Sequence, residues 1–99
     1  MDIPEQLQLL HKLLSKELVI LNQRNFMMKL NIVRKEKNRK RYSDLLTETD
    51  CAVSIIETAI MDRNPHRGFV YLCLLHKFVK EIEALVERDY PQFENRFLR

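Results

Sequence analysis

Apolar residues in the first third of the chain recur at Ile3, Leu7, Leu10, Leu14, Leu18, Leu21, Met28 and Ile32. That spacing is close to the 3.6-residue period of an α-helix, with Asn25 the single polar interruption. A second stripe, Leu9, Leu13, Ile20 and Met27, widens the face, and Val19, Phe26, Leu30 and Val33 add a third side. A helix that is apolar nearly all round is covered by more than one neighbour. This first helix is therefore expected either at the centre of a bundle or with a face against a second chain. It should start near Pro4, with Asp2 or Ile3 at the cap and proline early, where a missing N–H does no harm.

Apolar residues stop at Val33 and resume at Leu45. The block between them holds neither Gly nor Pro, so the turn of a helical hairpin is expected there without an obvious breaker. Asn38 could take the left-handed conformation that ends a helix, and Ser43 could cap the next one. A second helix from about Asp44 to Asp62 would bury Leu45, Ala52, Val53, Ile56, Ala59 and Ile60. Asn64-Pro65 then pairs a preferred cap with proline at the first helical position. A third helix from Pro65 to Asp89 presents Leu72, Leu75, Val79, Ile82 and Val86, with Leu74, Phe78 and Leu85 alongside. Pro91 ends it, and Phe93 and Phe97 suggest a short helix in the tail.

The expectation is an all-α fold: an antiparallel bundle of three long helices plus a short C-terminal helix, in one domain spanning 1–99. At ~1.5 Å per residue the first helix would reach about 50 Å and the second about 30 Å, so part of the first would overhang. A break at Asn22-Gln23-Arg24-Asn25 would give four shorter helices instead. Composition agrees with the class. Gly68 is the only glycine and prolines occur only at Pro4, Pro65 and Pro91, too few breakers for the many turns of a sheet protein. Gly68 falls in the first turn of the third helix, where glycine costs about 1 kcal/mol relative to alanine. Close helix packing is the expected reason.

No basic segment followed by an apolar one opens the chain, and no apolar run approaches the ~20 residues of a membrane span. Cys51 and Cys73 form no scaffold pattern and fit a reducing interior. These features point to a cytoplasmic protein without a membrane partner.

Charge changes the picture more than composition does. From Arg24 to Arg41 there are eight basic residues and one acid, a local +7 within an overall +3, so the other residues sum to −4. The core of this stretch is Arg34, Lys35, Lys37, Arg39, Lys40 and Arg41. A basic stretch on a mildly acidic body is the pattern of a surface that meets a polyanion or an acidic partner. Such cations would neutralise phosphates, with affinity falling steeply as salt rises. Tyr42 is the one adjacent aromatic, poor provision for stacking bases, so any nucleic-acid contact would be nonspecific. The bland alternative is a solvated hairpin end.

Cys73 and His76 are three apart on one helix, and Cys51 and His11 could in principle join them, a donor set suited to zinc. They lack the close paired spacing of structural zinc sites, and cysteine also serves as a small buried hydrophobe. No metal or cofactor is expected, and no catalytic residue. His66 reads as an exposed turn residue.

Two resemblances bear on function. A long first helix, two shorter ones and a length near one hundred resemble the all-helical chorismate mutases. Arg24, Lys35, Asp44 and Glu48 look like part of that family's substrate-binding set, which would imply cations gripping a dicarboxylate. The family's arginine near the start of its first helix would fall at Leu7, and its polar group late in the third at Ala84. The pattern from Leu13 to Lys37, with Glu17, Leu21, Asn25 and Lys29, is similar to the long first helix of flagellar and type III export chaperones. That resemblance implies binding of a partner's helix.

The leading expectation is a non-enzymatic interaction module, an adaptor, chaperone or regulator. It would bind a partner helix, or a second copy of itself, through Val19, Phe26, Leu30 and Val33, with the basic run steering the encounter. Nonspecific nucleic-acid binding by the basic run is the alternative, and a chorismate-mutase-like enzyme a remote one. No small-molecule substrate is expected.

Overall fold

A computed structural model of the chain describes the backbone of residues 1–29 and 36–89 and the side chains of residues 1–23 and 39–86. Every element among them is helical: α1 (Ile3–Lys29), α2 (Glu36–Met61) and α3 (Pro65–Asp89). α1 runs unbroken through Asn22–Asn25, which settles three helices over four within this range. The short C-terminal helix expected around Phe93 and Phe97 lies outside the described residues.

The starts of α1 and α3 and the end of α2 each have a local cause. Asp2 caps α1: its Oδ1 accepts from the Glu5 N–H at 2.9 Å and its carbonyl from the Gln6 N–H at 3.0 Å. That is the geometry of a side chain satisfying an orphan donor of the first turn. Asn64 does the same for α3, accepting from the Arg67 N–H at 3.2 Å and, through its carbonyl, from the Gly68 N–H.

Between α2 and α3 the Asn64 N–H donates to the Ala59 carbonyl and the Arg63 N–H to the Ile60 carbonyl. This pair of bonds closes a helix C-terminus when the residue after the cap turns left-handed. Arg63 takes that place with φ at 56°, where glycine would be easier. Arg63→Gly should therefore stabilise the fold. Relief of roughly 1–2 kcal/mol of left-handed strain exceeds the ~0.4–1 kcal/mol of added chain entropy when unfolded. A rise of the urea midpoint is expected; a fall would show that the arginine side chain holds the turn.

The start of α2 corrects the expected hairpin. The helix opens at Glu36, not near Asp44, so Asn38 and Ser43 lie inside it rather than at a turn and a cap. Glu, Lys and Arg are good helix formers and nothing in the block stops a helix. The lengths change accordingly. α1, α2 and α3 have 27, 26 and 25 residues, so the described helices nearly match and the expected overhang of α1 is absent among them.

Of the two places expected for α1, the centre of the bundle is taken by another helix. α3 is the central helix: it packs extensively on α2, less on α1, while α1 and α2 scarcely touch. The buried residues explain the closeness of α2 to α3. Among the described residues α2 buries Leu45, Thr49, Ala52, Ile56 and Ala59, and α3 buries Gly68, Leu72, Leu75, Val79, Ile82 and Val86 along one line, with Leu85 beside it. Both follow alternating steps of three and four, the repeat that keeps one seam on one partner. Thr49, Ala52 and Ala59 are small, so the two backbones approach. Among the described side chains α1 buries Leu10, Leu14 and Leu21 alone. Gly68 lies beneath Leu10 and Leu21 shares a cluster with Ile82, so α1 runs in the direction of α3. Leu45 shares that same cluster, and Ala52 and Ile56 pack with Leu72 and Leu75, so α2 runs the opposite way.

Among the described residues the core has two parts. One joins Leu10, Leu14, Ala52, Ile56, Leu72, Leu75 and Val79; the other joins Leu21, Leu45, Ile82 and Leu85. Between them along the sequence stand two polar residues at core positions, Glu17 on α1 and Thr49 on α2. Thr49 is fully buried, and its hydroxyl donates to the Leu46 carbonyl at 2.8 Å, so the group is satisfied within its own helix.

Candidate functional site

α1 meets a neighbour mainly along α3 and so presents a long outer flank. Val19 stands on it 58% exposed. Phe26 lies seven residues further along the same helix, with its side chain outside the described ones, and Leu30 and Val33 lie outside the described residues altogether. Of the four expected partner-binding residues, the structure thus places Val19 as accessible. Of the second stripe of α1, Leu13 and Ile20 are half-buried against the core and Leu9 is exposed, while the side chain of Met27 lies outside the described ones.

The basic run divides in the same way. Arg34 and Lys35 lie outside the described residues, Lys37 is in the first turn of α2, and Arg39, Lys40 and Arg41 are exposed on the turns that follow. Arg41 reaches α3, its Nη2 donating to Glu81 Oε2 at 2.6 Å. Exposed pairs of this kind contribute at most about 1 kcal/mol. The remaining cations sit at the positive end of the α2 dipole, an arrangement that disfavours the helix unless an anion is near.

Tyr42 adjoins this end and packs on the second core cluster. Burial disfavours its phenolate and pushes its pKa up to about 12. Because the folded value lies above the unfolded ~10, this contribution to stability is complete below pH ~10 and is lost as pH climbs through 12. Phenolate absorbance should show a step near 12 that Tyr42→Phe removes; a step near 10 lost in that variant would place the ring in water.

At the opposite end of the molecule, an open groove of about 890 Å³ lies between the start of α1 and the α2–α3 turn. Met1, Ile3, Leu9 and Phe69 supply its apolar walls, and Arg63 and His66 its polar edge. The thiols and imidazoles do not converge. Cys51, Cys73, His11 and His76 are exposed, and among the described residues no three His, Cys, Asp or Glu side chains gather as a metal site would require. Asp44 and Glu48 are exposed on α2; the side chain of Arg24, and Lys35, which would complete a chorismate-mutase-like set, lie outside the described residues. No described helix is long and apolar enough to cross a membrane.

One polar contact was not anticipated from the pattern of the chain. Glu17 is only 13% exposed along its side chain, and its Oε1 lies 2.5 Å from His76 Nδ1 on α3. A carboxylate can only accept, so the imidazole Nδ1 carries the hydrogen. The signal was present in the spacing. Leu10, Leu14, Glu17 and Leu21 follow the same alternation of four and three as the seams of α2 and α3, which puts Glu17 in a core position.

No family model, curated protein or solved structure matches the chain.

Proposed function

We propose that this chain is a non-enzymatic interaction module, a three-helix bundle that docks a partner helix or a second copy of itself along the outer flank of α1. The observation that carries the reading is the exposure of Val19 on a helix packed on α3 and scarcely on α2. An edge helix with apolar residues on its outer flank gains energy when a second helix covers that flank, and flanking charges orient the encounter. Phe26, Leu30 and Val33 continue the sequence stripe to which Val19 belongs, and the basic run adjoins its end.

The test is the mass measured by light scattering at low and high salt for the native chain, for Val19→Asp and for Phe26→Asp. Self-association through apolar area should survive high salt and drop to monomer in either variant. If a partner protein is the target instead, the variants should lose its capture while keeping their helicity. Unchanged mass and unchanged capture in both variants would sink the reading.

A second reading is favoured by one specific observation. α2 opens on exposed cations at its positive end, so a polyanion bound there would relieve an unfavourable arrangement. Neutralising Lys35, Lys37, Arg39 and Lys40 together should then abolish retention on a phosphate matrix. Retention equal to that of the native chain would eliminate nucleic acid as the target, and turnover of chorismate would overturn both readings.

A further inference from the structure

We propose that the groove between the start of α1 and the α2–α3 turn docks an acidic, apolar segment of a partner protein. Its walls call for the apolar half of that ligand. Ile3 and Leu9 of α1 line it with Phe69 of α3. Met1 adds to the wall, and its carbonyl accepts from Gln6 Nε2 at 3.0 Å, which ties the residue to the first turns of α1. Met1, Ile3 and Leu9 are all exposed. Large apolar side chains exposed together around one recess, rather than scattered singly, mark an interaction surface.

The edge sets the sign of charge. The ionisable side chains lining the groove are Arg63 and His66, with no acid among them. Asp2 and Asp62 adjoin the lining in sequence, but neither is part of it, and Asp2 is engaged in capping α1. The Arg63 guanidinium has no ion-pair or hydrogen-bond partner among the described residues. A carboxylate entering beside it would meet an unneutralised cation, with an imidazole N–H of His66 as a further donor and the positive end of the α3 dipole close by. Arg63 also holds φ at 56°, where glycine would be easier. Strain of this kind is retained at binding sites that need the side chain.

The shape favours a peptide over other anions. Pockets for small molecules or acyl chains bury most of the ligand, whereas this groove is open. A single guanidinium is also too little for a lipid surface, where each cation adds about 1 kcal/mol. A protein segment brings an apolar side chain and a carboxylate together, and its flanks cover the exposed rim. The groove is at the end of the molecule away from the basic run, and Val19 is not part of its lining, so it is a surface distinct from both considered above.

The test is selection of a displayed random-peptide library on the native chain, followed by titration of the enriched peptides by fluorescence anisotropy. Enriched sequences should pair a bulky apolar residue with Asp or Glu a few positions away, and should shift the amide resonances of Leu9, His66 and Phe69. Arg63→Gly should weaken them about tenfold or more, the loss of one hydrogen bond to a charged group. Arg63→Gln, which keeps a long side chain in the turn, should weaken them equally, and Arg63→Lys should retain most of the affinity. Peptides enriched without acids, undiminished affinity in Arg63→Gln, or no enrichment at all would overturn the proposal. So would shifts confined to α1 around Val19, which would leave the outer flank as the docking surface. Groove shifts produced by raising the concentration of the chain itself would put a second copy there instead, and shifts produced by phosphatidylserine vesicles but not by peptides would put a lipid there; either would overturn it too.

Discussion

Gly68→Leu should unseat α1 from α3, with a loss on the order of 3 kcal/mol or more, the upper range for overpacking a closed interface. The smaller change Gly68→Ala already meets an obstacle. An alanine Cβ would run into Leu10 Cδ2 and stand 3.3 Å from its Cγ. A flexible side chain at the surface could swing aside, but Leu10 is 0% exposed and enclosed by the first core cluster. Alanine gains up to about 1 kcal/mol in helix propensity over glycine, against roughly 1–3 kcal/mol for forcing Leu10 out of place. The net is a destabilisation of about 1 kcal/mol by urea titration. The assignment of cause is checked by a double-mutant cycle. On a Leu10→Ala background the recess is empty, so Gly68→Ala should become neutral or stabilising, a coupling of roughly 1–2 kcal/mol. Additive effects within experimental scatter would mean that Leu10 is not what Gly68 accommodates.

Gly68 also marks how far a sequence can be followed into a fold. A lone glycine in a first turn signals close approach, and the approach is there, though nothing in the spacing names Leu10 as the residue above it. The start of α3 and the cap at Asn64-Pro65 were legible because proline and a capping side chain act locally. The start of α2 was not. A charged block without breakers propagates helix as readily as it makes a turn, and apolar periodicity is silent where there are no apolar residues. The central place of α3 was hidden for a different reason. An all-round apolar pattern in α1 suggests a central helix, but closeness is decided by small residues on the facing seams, Thr49, Ala52 and Ala59, which an inventory of large hydrophobes passes over. For the candidate site, exposure of Val19 follows from its stripe lying off the Leu10–Leu14–Leu21 line. What would cover it is set by surfaces outside this chain.

If α3 joins the other two helices into one cooperative unit, Leu75→Ala should be the most damaging single truncation in the chain. Leu75 is 0% exposed and shares its cluster with Leu10 and Leu14 of α1 and with Ala52 and Ile56 of α2. Shortening it opens a cavity walled from both sides, which neighbours held in two seams cannot readily collapse to fill. Truncations of this kind cost about 2–5 kcal/mol, more where relaxation is restricted, and the upper half of that range is expected here. Val19→Ala, by contrast, removes an exposed side chain and should stay within about 0.5 kcal/mol. The informative measurement is a urea titration followed by two probes, one on α1 and one on α2. Coincident transitions that both move to lower urea in Leu75→Ala are expected of a single cooperative unit. An α1 probe that melts first, with the α2 transition left at its original midpoint, would contradict it. Such a result would make α2 and α3 a self-sufficient hairpin and α1 a detachable arm, whose seat on α3 a partner helix could then compete for.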